Sequence, residues 1–139
     1  MRVFERSIDQ VTLSNGMCWG RSEGKGDGDP FDIFYFIDSA LQTVDRFDYD
    51  EATGEIDLAS RKTVIKVPSL ADGGGVPDGM TIDHGGMLWV ALGESGCVVQ
   101  YDPKTGEEIM VCHSPLSRIT LLSVPPCQLT QKSISHRHL

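Results

Sequence analysis

The sequence lacks the features that mark membrane, secreted or nucleic-acid-binding proteins. Its 139 residues contain no apolar run near the ~20 residues that cross a bilayer, and the first ten residues lack the apolar centre of a secretory signal. Basic residues are also few, since 12 Lys and Arg stand against 20 Asp and Glu, for a net charge of −8. Nucleic-acid phosphates attract Lys and Arg. We therefore expect a soluble, cytoplasmic protein with neither a membrane nor a nucleic-acid partner.

The sequence has four cysteines but no CxxC pair, which argues against a thiol-based metal or redox motif. Without a secretory signal, reduced thiols are expected. Two of the cysteines, Cys18 and Cys97, lie in strand-like segments and are predicted to pack as small hydrophobic residues.

All 20 acidic residues precede residue 121, so the last 19 positions contain none. Residues 121–139 are rich in Ser and Gln and include His136 and His138. This change in composition predicts a folded region over residues 1–120 and a divergent, disordered tail over 121–139. In such a tail the two histidines are expected to be solvated.

No segment has a helical period over 11 or more residues, and short strand-like runs dominate instead. Eight are predicted, over residues 11–19, 32–38, 44–49, 62–67, 79–83, 87–92, 97–101 and 108–112. Turn residues separate them. The pattern predicts an all-β sandwich, barrel or propeller.

The eight segments form two similar halves. FDYDEATGEI (47–56) resembles VQYDPKTGEEI (99–109), and SNGM (14–17) resembles PDGM (77–80). The first half carries an extra loop, RSEGKGDGDP (21–30). Repeated four-strand units of about 40–60 residues are typical of propeller blades. The YD-x-x-T-G segments are interpreted as structural hairpin turns.

Most apparent ligand or catalytic motifs fail on inspection. The loop GKGDGDPFD has Phe31 where an EF-hand starting at Asp27 needs its third oxygen ligand. GESGC (93–97) places Cys97 where a nucleophile elbow needs glycine, so Ser95 is rejected as a nucleophile. His84 and His113 are isolated and are expected in turns or at the surface.

One pair remains, Asn15 and Asp78, at equivalent places in the two halves. In a propeller, equivalent positions of neighbouring blades converge at one mouth of the central channel. An amide carbonyl and a carboxylate are hard oxygen ligands that suit Ca²⁺ or Mg²⁺. However, Asn-Gly and Asp-Gly are also ordinary turn dipeptides. The spacing alone leaves both interpretations open.

Four segments, LSNGMCW (13–19), FYFIDSALQTVDRFDYD (34–50), TGEI (53–56) and VPDGMTIDHGGMLWVAL (76–92), resemble the regucalcin family. This family is also called senescence marker protein (SMP-30) or gluconolactonase. The resemblance runs from about residue 3 to about residue 120. It implies a six-bladed β-propeller, of which this chain holds about two blades and the start of a third, each an antiparallel four-stranded sheet.

The resemblance also implies a function, the hydrolysis of sugar lactones with a divalent metal in the central channel. Ca²⁺ is the first expectation, with Zn²⁺, Mn²⁺ or Mg²⁺ as alternatives. By the match of motifs, Asn15 and Asp78 are implied metal ligands, and Asp78 is a candidate general base on the attacking water. The family's third ligand, a first-blade Glu, has no counterpart here. A non-catalytic calcium-binding protein and an inactive fragment therefore stay open as alternatives.

The expected partial propeller gives a first testable prediction. Two blades and part of a third leave unpaired strand edges and uncovered apolar faces. We expect the isolated chain to be of low stability or to associate with itself through its edge strands. Scanning calorimetry with size-exclusion chromatography checks this, and a sharp cooperative melt of a soluble monomer contradicts it.

Overall fold

The computed structural model describes residues 8–113, which form eight β-strands and one short 3₁₀ turn. The first four strands are β1 (Ser14–Gly20), β2 (Ile33–Asp38), β3 (Thr43–Asp50) and β4 (Glu55–Lys66). After the 3₁₀ turn (Leu70–Asp72) come β5 (Val76–Ile82), β6 (Leu88–Gly93), β7 (Cys97–Tyr101) and β8 (Glu108–His113). The eight predicted strands are thus confirmed in number and order.

The strands form two separate four-stranded sheets, each with its strands paired in chain order. Every pairing is antiparallel. The all-β prediction is confirmed, and each sheet has the arrangement of one propeller blade. The expected start of a third blade and the predicted tail over 121–139 lie outside the described residues. No helix between residues 8 and 113 is long and apolar enough to span a bilayer.

The predicted repeat of the YD-x-x-T-G segments is visible in matching hydrogen bonds. The Gly54 amide donates to the Asp50 carbonyl and the Gly106 amide to the Asp102 carbonyl, both at 2.7 Å. Both glycines have φ of 77°, in the left-handed region that favours glycine. The two aspartate carboxylates also accept amide hydrogens two residues downstream, at 2.9 and 2.8 Å. Both segments are therefore hairpin turns, as predicted.

The first strand of each sheet contains the same irregularity. Between Ser14 and Met17 of β1 the partner strand advances by only two residues, from Asp38 to Phe36. Between Pro77 and Met80 of β5 the partner likewise advances from Leu92 to Val90. Each strand therefore holds one extra residue, a β-bulge, and the bulges contain Asn15-Gly16 and Asp78-Gly79. The alternative interpretation of these dipeptides as ordinary turns is wrong, because they lie within strands.

Three predicted strand limits need correction. The fifth strand was expected over 79–83 but begins at Val76, because Val76 and Pro77 already pair with Gly93 and Leu92 before the bulge. The fourth strand was expected over 62–67 but begins at Glu55, because the hairpin after the first YD-x-x-T-G turn continues directly into it. Irregular pairing midway along β4 hides this continuity from a simple alternation pattern. The first strand begins at Ser14 rather than residue 11, because the amides of Thr12 and Leu13 donate to the Asp38 side chain.

The larger core lies between the two sheets. It combines side chains from both, including Tyr35, Ile37, Val44 and Ile65 from the first and Leu88, Val90, Leu92 and Val99 from the second. Cys18 and Cys97 are buried in it as free thiols, which confirms their predicted packing role. Burial raises the pKa of Cys18 to about 12, so its thiol stays neutral near pH 7.

A second apolar cluster covers the opposite face of the first sheet and contains Phe34, Phe36 and Phe47. By the register at the two bulges, Phe36 of β2 corresponds to Val90 of β6. Val90 is completely buried against the first sheet, whereas Met17 and Trp19 beside the Phe34 cluster are 48% and 39% exposed. The aromatic face of the first sheet thus matches the face by which the second sheet packs on its neighbour.

Gly16 gives a prediction about how the two sheets pack. A methyl group on Gly16 would lie 2.6 Å from the Asp78 carbonyl oxygen and 2.7 Å from the Met80 nitrogen. Because both contacts are with main-chain atoms, we expect Gly16→Ala to lower the free energy of unfolding by about 1–3 kcal/mol. Urea denaturation measures this.

Gly79, the equivalent glycine of the second bulge, supplies the matched control. Nothing lies within 4 Å of the position that its added methyl group would take. Gly79→Ala is therefore expected to change the unfolding free energy by no more than about 0.5 kcal/mol. Equal losses for the two variants would contradict the close approach at Gly16.

Candidate metal centre

The two bulges meet where the two sheets come together. Strands β1 and β5, each the first strand of its sheet, pack directly against one another. At the closest point the Cα of Gly16 faces the carbonyl of Asp78, so closely that only a glycine fits. The main chains that carry Asn15 and Asp78 are therefore neighbours, although the two residues are far apart in sequence.

The two candidate ligands differ in exposure but are both available for a ligand. Asn15 is half-buried and Asp78 is exposed. Within residues 8–113 neither side chain makes a hydrogen bond or an ion pair. Their amide and carboxylate oxygens are of the kind that Ca²⁺ prefers, yet such a cation takes about six to eight oxygen ligands. The two oxygen-bearing side chains are therefore of the right chemical kind for a hard cation, but they are too few to complete its coordination.

Within residues 8–113, Asp78 is not part of a cluster of three or more acidic, His or Cys side chains. Throughout the described part of the chain, no group of three or more His, Cys, Asp or Glu side chains is placed to hold a metal. The remaining oxygens of a cation site would have to come from water, main-chain carbonyls or residues beyond 8–113.

A buried carboxylate that the sequence did not single out supports the Asn15 bulge. Asp38, at the end of β2, is fully buried and accepts hydrogen bonds from the amides of Thr12 at 2.8 Å, Leu13 at 3.1 Å and Ala40 at 3.2 Å. Burial by itself would raise the pKa of Asp38, but these amide hydrogen bonds outweigh it and the pKa is lowered. The only sequence signal was an Asp as the last residue of an otherwise apolar strand.

A second carboxylate with several hydrogen bonds, Asp83, is half-buried and lies at the opposite end of β5 from Asp78. It accepts hydrogen bonds from Trp89 Nε1 at 2.8 Å and Gln100 Nε2 at 2.9 Å, and from the amides of Gly85 and Met87. Desolvation opposes ionisation, yet these hydrogen bonds lower the pKa of Asp83 overall. Asp83 fixes the turn between β5 and β6 and takes no part in the candidate site.

The inserted loop lies at that same far end, beside a cleft of about 710 Å³ between the two sheets. Asp29 in the loop and Asp32 just after it bind groups of the loop itself, whereas Glu23 pairs with Lys104 at 3.2 Å and the Asp27 side chain is exposed. Asp29 accepts from the Gly26 amide at 2.7 Å, and Asp32 pairs with Lys25 at 2.9 Å and accepts from Ser22 Oγ at 2.6 Å. These contacts agree with the rejection of an EF-hand.

The contacts of Ser95 and the exposure of the histidines agree with their rejection as catalytic or ligand residues. Ser95 Oγ donates to the Leu92 carbonyl at 3.0 Å and lies 3.2 Å from Cys97 Sγ, inside the β6–β7 turn. His84 and His113 are exposed, as expected. His136 and His138 lie outside the described residues.

Comparison with known proteins decides the family. The profile of the family described as SMP-30/Gluconolactonase/LRE-like region matches residues 2–125, most of the chain. The chain belongs to this family. Regucalcin of Danio rerio is 42% identical to it over 115 residues, which are 83% of this chain and 35% of that protein. The chain thus spans about a third of the length of the curated relatives that it matches.

Solved structures of the SMP-30/gluconolactonase family share the fold. A luciferin-regenerating enzyme superposes with a TM-score of 0.61 at 26% identity, over 78% of this chain and 32% of that one. A regucalcin from Agrobacterium tumefaciens, described as a calcium-binding protein, gives a TM-score of 0.61 at 24% identity over the same shares. The two sheets of this chain are accordingly part of a propeller of this family.

The lowered pKa values of Asp38 and Asp83 predict loss of stability in acid. A group whose pKa is lower in the folded state stabilises the fold above its ordinary pKa of 3.8, and this stabilisation is lost as the pH falls through the folded value. We therefore expect the unfolding free energy to decline below about pH 4. Urea denaturation between pH 6 and pH 2.5 measures the slope.

Asp83→Asn separates this cause from general acid effects. The amide leaves the donors of Trp89 and Gln100 without a full set of acceptors, which should cost about 1–3 kcal/mol at pH 6. Since Asn does not titrate, the stability of the variant should also depend less steeply on pH below 4. Parallel pH curves for the variant and the unaltered chain would contradict this account.

Proposed function

We propose that this chain contributes part of the metal centre of a divalent-cation-dependent sugar-lactone hydrolase, with Asn15 and Asp78 as two ligands. The observation that supports this most is the pair of matching bulges, which bring an amide-bearing and a carboxylate-bearing segment into main-chain contact. Bulges are common beside active sites because they redirect a side chain. Membership of the SMP-30/gluconolactonase family supports the reaction class.

The proposed roles follow from the chemistry of the two side chains. A hard cation bound between them would supply electrophilic activation of a lactone carbonyl. Asn15 would contribute a neutral oxygen that orients the site. Asp78, exposed and free of hydrogen bonds within residues 8–113, would contribute charge and is the candidate general base on the attacking water. Ca²⁺ is the proposed ion, with Mg²⁺, Mn²⁺ and Zn²⁺ as alternatives.

A non-catalytic role in calcium binding is the second candidate. It is favoured by the similar Agrobacterium tumefaciens regucalcin, which is described as a calcium-binding protein, and by the incomplete ligand set of this chain. Hydrolysis of gluconolactone with added Ca²⁺, Mn²⁺ or Zn²⁺ distinguishes the two. Turnover that depends on the ion and on Asp78 supports the hydrolase, whereas ion binding without turnover supports the second candidate.

The ligand assignment predicts the effect of removing one carboxylate. Because this chain supplies few ligands, Ca²⁺ binding is expected in the millimolar range, about 10⁻³ M or weaker. Tb³⁺ luminescence, with Ca²⁺ as competitor, therefore provides a more sensitive titration. Asp78→Asn is expected to weaken Tb³⁺ binding by at least about 10-fold, since even changes outside the ligand set cost 10- to 100-fold.

Asp27→Asn is the matched control, because it removes one exposed carboxylate from the inserted loop and changes the net charge equally. Its Tb³⁺ affinity should equal that of the unaltered chain. If both variants lost affinity to the same extent, the ion would be responding to the overall negative charge. The assignment of Asp78 as a ligand would then fail.

A further inference from the structure

The turn from β2 to β3 lies at the same end of the first sheet as the Asn15 bulge. Besides the three amide hydrogen bonds to the Asp38 carboxylate, the Ser39 amide donates to the Leu13 carbonyl at 2.9 Å. The two residues together hold the main chain of Thr12 and Leu13, just before Asn15. Asp38 and Ser39 are 0% and 2% exposed, so solvent does not compete for these bonds.

The Ser39 side chain reaches from this turn to the second sheet. Its Oγ donates to the Pro77 carbonyl at 2.6 Å in a buried hydrogen bond. That carbonyl belongs to the peptide group that links Pro77 to Asp78. Gln42, at the other end of the same turn, donates from Nε2 to the Gly75 carbonyl at 3.1 Å. A single turn therefore fixes the chain immediately before both candidate ligands.

The repeat of the fold does not require this arrangement. In the first sheet Ser14 pairs with Asp38, and in the second the equivalent Pro77 pairs with Leu92. The second sheet accordingly has Leu92 and Gly93 where the first has Asp38 and Ser39. A blade of this chain thus forms without a carboxylate or a hydroxyl at these places. Because burying a carboxylate is costly unless its hydrogen bonds are complete, its presence in one blade calls for a local reason.

We propose that Asp38 and Ser39 are positioning residues for the candidate cation site, which hold the peptide groups before Asn15 and Asp78 at a fixed separation. The inference rests on the proposed function of those two ligands. A cation held by few protein oxygens gains most from ligands that are already in place, since ordering them on binding costs free energy. Loss of one positioning hydrogen bond should therefore weaken binding without removing a ligand.

Ser39→Ala tests the proposal, because it removes only the hydrogen bond to the Pro77 carbonyl. We expect Tb³⁺ affinity to fall by about 10-fold, the lower end of the effect of groups that orient metal ligands. Luminescence lifetimes in H₂O and D₂O count the water molecules on the ion, and this number should rise in Ser39→Ala. Circular dichroism sets a temperature at which both proteins are folded.

Ser60→Ala is the control for a general loss of stability. Ser60 Oγ likewise donates to a carbonyl, that of Asp57, at 2.6 Å, and accepts from the Asp48 amide, but on β4. Neither affinity nor hydration should change in this variant. If Ser39→Ala does not fold, Ser39→Gly replaces it, since the second sheet has glycine at the equivalent place. Failure of both to fold would make Ser39 a requirement of the fold alone and overturn the proposal.

The remaining outcomes separate this inference from the proposed function. If Asp78→Asn loses Tb³⁺ affinity while Ser39→Ala keeps both the affinity and the hydration number of the unaltered chain, the positioning role is overturned and the ligand assignment stands. If Ser60→Ala weakens binding as much as Ser39→Ala, the positioning role is also overturned. If the unaltered chain binds neither Tb³⁺ nor Ca²⁺, the proposed function is overturned and this inference with it.

Discussion

The close approach of β1 and β5 at Gly16 is the constraint on which the rest of this structure depends. With no side chain at this position, the main chain of the first sheet reaches the Asp78 carbonyl of the second. This contact brings the two first strands together along their length and closes the larger core between the sheets. The same contact makes the two bulges neighbours. The packing of the sheets and the candidate cation site therefore depend on the same segments, Asn15-Gly16 and Asp78-Gly79.

A different set of polar side chains holds the main chain at each end of β1 and β5. At one end, Asp38 and Ser39 bind main-chain groups from both sheets near the candidate ligands. At the other end, Asp83 binds its own turn together with Trp89 and Gln100. Each carboxylate binds groups of its own sheet only, and these hydrogen bonds outweigh burial and lower its pKa. The link between the sheets at the first end is made by the Ser39 hydroxyl, which donates to the Pro77 carbonyl.

The incomplete ligand set and the aromatic face of the first sheet are consistent with each other. Phe34, Phe36 and Phe47 form a face equivalent to the one that the second sheet packs against its neighbour, and Met17 and Trp19 remain partly exposed beside it. The chain also spans only about a third of the length of its regucalcin relatives. The three phenylalanines are themselves buried, with Ile8 and Val11 packed against them. In a whole propeller a preceding blade would supply the further oxygens and would cover Met17 and Trp19, and the packing of the two described sheets is a template for that contact.

The sequence alone determined the eight strands, their order, the two-blade repeat and the hairpin turns, because alternation and turn chemistry are local properties. It also pointed to Asn15 and Asp78, through the repeat and then through the family resemblance. Only the tertiary structure decided that their dipeptides form bulges rather than turns, since a bulge is defined by the register of a partner strand. The roles of Asp38 and Ser39 were likewise hidden, because their hydrogen-bond partners lie 25 to 38 residues away in the chain.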